Sequence, residues 1–92
     1  MSGEARASFT LINRLGLHAR AATRLAQEAE RFDAHVLIEK DGETARASSV
    51  LELLMLCGQV GTRISVIASG PQAQEAVAAI GDLVANRFGE PD

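Results

Sequence analysis

One histidine stands out by its neighbours. Gly16-Leu17-His18-Ala19-Arg20-Ala21-Ala22 puts an imidazole where a loop becomes a helix, with a guanidinium two residues further on. A helix start usually carries Ser, Thr, Asp or Asn as its cap. Leu17 and His18 fall there instead, so the first N–H groups, around Ala19 and Arg20, are expected to lack an ordinary side-chain cap. Free N–H donors and the helix dipole both favour negative charge at such an end. The same positive end favours a neutral imidazole, which keeps one nitrogen lone pair for attack. A phosphoryl group on His18 would then be stabilised by the N–H donors of Ala19 and Arg20 and by the Arg20 guanidinium. The pattern suits reversible phosphoryl transfer. From these residues alone, a polar cap or a solvated side chain stays open as the alternative.

The elements that must position this histidine are legible as periodicities. Ala5, Ala7, Phe9 and Leu11 alternate with polar residues, which reads as a half-buried strand, and Asn13 to Gly16 reads as a loop. From His18 the period becomes helical, with Ala22, Leu25, Ala26, Ala29 and Phe32 on one face and an end near Arg31. Ala34, Val36 and Ile38, the Asp41-Gly42 turn, then Ala45 and Ala47 read as a hairpin. Ser49-Val50-Leu51-Glu52 is a capping-box signature opening a short second helix, since Gly58 and Gly61 follow closely. Ile64, Val66 and Ala68 give a fourth strand. Gly70-Pro71 is expected to start the last helix, with Pro71 at its first position and Ala73, Ala76, Val77, Ile80, Leu83, Val84 and Phe88 on its apolar side. Gly89 to Asp92 reads as a frayed tail. The order βαββαβα with one-sided strands predicts an α+β fold, a four-stranded antiparallel or mixed sheet with the helices on one face.

Composition limits the function. Ninety-two residues, 47% hydrophobic and 23% charged, fit one small soluble domain with a thin core. No apolar run is longer than the five residues of Leu53 to Cys57, far below the roughly 20 that span a bilayer, so no membrane insertion is expected. Cys57 is alone, which excludes an intrachain disulfide and a thiolate-rich metal site, and no metal or cofactor is expected. These features fit a cytoplasmic location. Cys57 itself is expected to be a small core residue, and His35 a solvated strand residue. A net charge of −3 with three Phe and no Tyr or Trp argues against a nucleic-acid partner. Residues 5 to 27 nevertheless carry Arg6, Arg14, Arg20 and Arg24 and no acid, a local basic segment suited to a phosphate or an acidic partner face.

The stretch Leu15-Gly16-Leu17-His18-Ala19-Arg20-Ala21-Ala22 resembles the active-site motif of the HPr family, the histidine phosphocarriers of the phosphoenolpyruvate-dependent phosphotransferase system. Ser48-Ser49-Val50-Leu51-Glu52-Leu53-Leu54-Met55-Leu56 resembles the family's second-helix signature, and Gly61-Thr62 before a strand also fits, so the likeness covers roughly residues 5 to 88. It implies one HPr-like domain over residues 1–92, an open-faced β-sandwich with a four-stranded antiparallel sheet and three helices on one face. It further implies that His18 accepts a phosphoryl group on Nδ1 from phosphorylated Enzyme I and passes it to an EIIA-type protein, with Arg20 stabilising it. Such a protein is a carrier and not a turnover enzyme, and one face offered to successive partners implies a monomer. The chain departs from the usual pattern at Ala21, where many members have proline.

Ser49 falls where many members carry a serine that an HPr kinase/phosphorylase modifies, although its capping role already accounts for it. Val50, Leu51 and Leu54, with Arg24 on the rim, are the expected partner-docking residues. Phe32-Asp33-Ala34, Leu53-Leu54-Met55-Leu56 and Gly70-Pro71-Gln72 are more similar to the nitrogen-related NPr-like branch than to the sugar-transport branch. Two other classes compete: a regulatory module of the same fold acting through Ser49, and a small α+β domain holding a free anion at its helix start. The lack of enclosing aromatic residues disfavours the last.

Overall fold

The computed structural model describes residues 3–92. In chain order these form β1 (Glu4–Thr10), α1 (Ala19–Glu30), β2 (His35–Lys40), β3 (Glu43–Arg46), α2 (Val50–Met55), β4 (Arg63–Ser69) and α3 (Ala73–Ala85), followed by a short turn at Arg87–Gly89. The four strands make one antiparallel sheet in the order β1-β4-β2-β3. Alternation fixes which side is covered. Ala7, Val66, Ile38 and Ala45 are successive cross-strand partners on the helix side, and Arg6, Ile67, Leu37 and Arg46 form the matching row on the open side. The Asp41-Gly42 turn takes positive φ at both residues, as a two-residue hairpin of this hand requires.

α3 lies across β1 and β4, and α1 packs against α2 and α3. Leu25, Ile38, Leu53, Ile64, Ile80 and Phe88 are completely buried between these layers. Small residues bring the layers close. Gly81 in the middle of α3 faces the Phe9 ring, where an added Cβ would lie 2.5 Å from the ring carbons.

The start of α2 realises half of the expected capping box. Ser49 Oγ accepts the Glu52 N–H at 3.2 Å, but the Glu52 carboxylate does not return to the Ser49 backbone. It accepts the Arg46 N–H at 2.9 Å and Arg46 Nε at 2.8 Å instead, and the Ser49 N–H donates to the Arg46 carbonyl at 3.0 Å. A guanidinium outcompetes a second capping bond because the charged partner is the stronger one. The Arg46 bonds hold the Glu52 carboxyl below its ordinary range. A carboxylate depressed in the fold contributes stability above its ordinary value and loses it as pH falls through the folded value. Glu52→Gln should therefore lower Tm slightly at pH 7, and the gap to wild type should begin to narrow below about pH 4, where the unfolded carboxylate protonates, and close as pH falls through the folded value. A gap independent of pH would contradict this role. At the other end of α2, Lys40 Nζ from β2 donates to the Leu56 carbonyl at 3.0 Å.

Three expectations are corrected here. α3 begins at Ala73, not Pro71, with Gln72 as its cap residue and no side-chain capping bond. The Gln72 side chain is used elsewhere: it accepts the Asp33 N–H at 2.8 Å, while the Gln72 N–H donates to the Asp33 carbonyl at 3.0 Å. Cys57 is exposed instead of in the core, because the chain leaves α2 through a left-handed residue, φ 56°, that turns it outward. Residues 89–92 are not frayed. Arg14 N–H bonds the Asp92 carbonyl oxygen at 3.0 Å, and Glu90 is part of a hydrogen-bonded network. His35 is exposed on β2, as its alternation suggests. No helix among the described residues is long and apolar enough to cross a membrane.

Candidate functional site

The loop between β1 and α1 is laced to the loop after α2. Leu11 N–H bonds the Thr62 carbonyl at 2.9 Å, Gly61 N–H the Leu11 carbonyl at 2.7 Å, and Leu17 N–H the Gly58 carbonyl at 2.8 Å. Gly16 makes that last approach possible. Its φ is 65°, and a Cβ there would sit 2.4 Å from the Gly58 carbonyl oxygen. Left-handed strain in a non-glycine residue costs about 1–2 kcal/mol and overpacking about as much again. Gly16→Ala should thus destabilise the fold by about 2–3 kcal/mol, read by denaturant unfolding. A change below about 0.5 kcal/mol would show that the loop yields freely.

His18 follows as the cap residue of α1, extended at φ −84° and ψ −178°. The expectation of an uncapped helix start is corrected: His18 is itself the cap, its Nδ1 accepting the Arg20 N–H at 3.3 Å. An imidazole nitrogen with a free lone pair does here what a serine oxygen does elsewhere. The first bond inside the helix, Ala22 N–H to the His18 carbonyl, is 2.8 Å. The N–H groups of Ala19 and Ala21 therefore lie in the first turn, where a helix has no acceptors of its own. Ala21 is fully buried, and its place in that turn is one where proline's missing donor costs little.

The other ring nitrogen, Nε2, meets the Glu90 carboxylate. The second Glu90 oxygen accepts Asn13 Nδ2 at 3.0 Å, and the same amide donates to the Gly16 carbonyl at 2.7 Å. Asn13 is completely buried, and its Oδ1 has no hydrogen-bond partner among the described residues. Burial alone pushes the Glu90 carboxyl up, but hydrogen bonds from Asn13 and His18 and the nearby Arg20 guanidinium outweigh it, leaving it below the usual carboxylate range. The His18 side chain is 27% exposed and the Glu90 side chain 10%, so the ring is reachable and its carboxylate partner is covered.

Arg20 and Arg24 are exposed on α1, and Arg24 lies along the tail, where a Cβ on Gly89 would be 2.7 Å from its Nη1. On α2, Leu51 is exposed, whereas Val50 and Leu54 are half-buried against the core. Ile12, Leu15, Met55 and Val60 are the large exposed apolar residues that the pattern did not single out. Asn13 and Glu90 were also missed. Asn13 carried a signal, a polar residue next to apolar ones and three positions before Gly16. Glu90 carried none, being 72 residues from its histidine.

Known proteins share this sequence pattern and this fold. The family described as the PTS HPr component phosphorylation site matches residues 5–86. The phosphocarrier protein HPr of Cupriavidus necator is 42% identical over 81 residues, covering 88% of this chain and 91% of that protein. The phosphocarrier protein NPr of Escherichia coli K12 is 46% identical over 81 residues, covering 87% and 90%, so relatives of both branches match. A crystal structure of HPr from Thermoanaerobacter tengcongensis superposes with a TM-score of 0.91 at 31% identity, covering 96% of this chain and 99% of that one. With its open-faced antiparallel sheet and a histidine capping the first helix, this chain belongs to the HPr family of phosphocarrier proteins of the phosphotransferase system, carriers rather than enzymes.

Proposed function

We propose that His18 accepts a phosphoryl group on Nδ1 from phosphorylated Enzyme I and hands it to an EIIA-type acceptor. One observation carries the reading: Nδ1 is aimed at the open first turn of α1, with the Arg20 N–H 3.3 Å away, while Nε2 is engaged by Glu90. A ring held by one nitrogen has the other as its nucleophile. The phosphoryl oxygens would take the place of that weak capping bond, accepting from the first-turn N–H groups around Ala19 and Arg20, with the Arg20 guanidinium adding charge. The partner face consists of Leu51, the edges of Val50 and Leu54, and the rim of Arg20 and Arg24. An acidic partner would be steered there by the same arginines.

The test is transfer in sequence. With phosphoenolpyruvate and Enzyme I present, phosphate should reach an EIIA acceptor only when this chain is added; arrival without it, or no arrival with it, contradicts the reading. Arg20→Ala should slow transfer about tenfold to a hundredfold, the rate equivalent of one charge-assisted hydrogen bond. Unchanged rates in both directions would remove Arg20 from the site.

For Ser49, the hydroxyl accepting the Glu52 N–H supports a capping role, and substitution by alanine should cost about 1 kcal/mol. A phosphate there would also meet the neighbouring Glu52 carboxylate. Regulation through an HPr kinase/phosphorylase acting on Ser49 is therefore the second reading.

A further inference from the structure

We propose that Glu90 is a positioning residue for this transfer: by holding the Nε2 proton of His18 it presents Nδ1 as the nucleophile and keeps the phosphorylated ring protonated and labile. The inference rests on His18 being the acceptor. Glu90 is fastened, not draped. One carboxylate oxygen meets His18 Nε2, and the other accepts from the buried Asn13 amide at 3.0 Å. Its N–H bonds the Arg87 carbonyl at 2.9 Å, and the Asp92 oxygen two residues on accepts from Arg14 N–H at 3.0 Å. A left-handed turn, with φ of 54°, 53° and 78° at Arg87, Phe88 and Gly89, reverses the chain to bring it there.

A carboxylate has only acceptors, so Nε2 must be the donor, and the lone pair of the neutral ring is then on Nδ1. In the forward step that lone pair forms the N–P bond while the bond from phosphorus to the donor breaks, its electron pair leaving with the donor. No proton moves. The Nε2 proton stays, and the ring becomes a phosphoimidazolium facing a carboxylate that stabilises the new positive charge, the part an aspartate takes beside a catalytic histidine. In the return step the N–P electron pair goes back to Nδ1 and regenerates the starting tautomer. Without the carboxylate, Nε2 would release its proton more readily, leaving a neutral phosphoimidazole that is a poorer leaving group. The charges around this pair are the exposed Arg20 and Arg24 of α1, with Arg14 and Asp92 joined beside it through their backbones.

The test compares wild type, Glu90→Gln and Glu90→Asp after phosphorylation with phosphoenolpyruvate and Enzyme I, recording the rate of phosphoryl loss to water and to an EIIA acceptor from pH 5 to 9. Glutamine keeps the contact with Asn13 and removes the charge. Its pH–rate profile should shift about one unit lower, with about tenfold slower transfer on the alkaline side, and aspartate should restore part of the shift. Superimposable profiles for wild type and Glu90→Gln would overturn the role of Glu90 alone. A wild type that takes up no phosphate would overturn the acceptor assignment and this inference with it.

Discussion

His18→Ala should take up no acid-labile phosphate under any combination of donor and time, while remaining folded. The loss is complete because the other histidine, His35, is exposed on β2 and not at a helix start. The stability cost should be about 1 kcal/mol, the value of a helix cap, since the Nδ1 bond to the Arg20 N–H goes with the ring. Intact mass reads the first effect and thermal unfolding the second. A variant that still gained one acid-labile phosphoryl group would remove His18 from the mechanism.

The largest stability effect should come from Phe88→Ala, which is expected to cost about 3–5 kcal/mol. Phe88 is completely buried yet sits outside α3, in the left-handed turn that follows it. Left-handed backbone at Arg87 and Phe88 costs about 1–2 kcal/mol each, and burying the ring contributes the stabilisation that offsets it. Removing the ring takes away both the core contact and the reason for the turn. The variant should unfold at a lower urea midpoint with a similar slope, and its phosphoryl chemistry should resemble that of Glu90→Gln, because the tail no longer holds Glu90 on His18. A loss below about 1 kcal/mol would mean that the turn is set by something other than Phe88.

Much of this fold was legible because strand alternation and helix periodicity are local. Val36 and Ile38, the Asp41-Gly42 turn, and the Leu25 and Ile80 faces each declared themselves within a few residues. The strand order was not legible, since a period of two says which face a residue takes and not which strand lies beside it. Capping was half legible: Ser49 was read correctly, but the Glu52 carboxylate turned to Arg46, six residues earlier at the end of β3, which won it by charge. At the site the histidine was evident from its neighbours, whereas its carboxylate was hidden. Glu90 comes near only after the sheet closes, α3 runs its length and Phe88 turns the chain back. A four-residue stretch of one glycine, one proline and two acids reads as a loose end until the buried ring before it is seen.

Intact mass of the wild-type chain after incubation with phosphoenolpyruvate and Enzyme I, measured before and after brief acid treatment, decides whether the chain carries phosphate on histidine. A gain of one phosphoryl group that acid removes is expected. No gain, or a gain that survives acid as a phosphoserine would, contradicts that expectation.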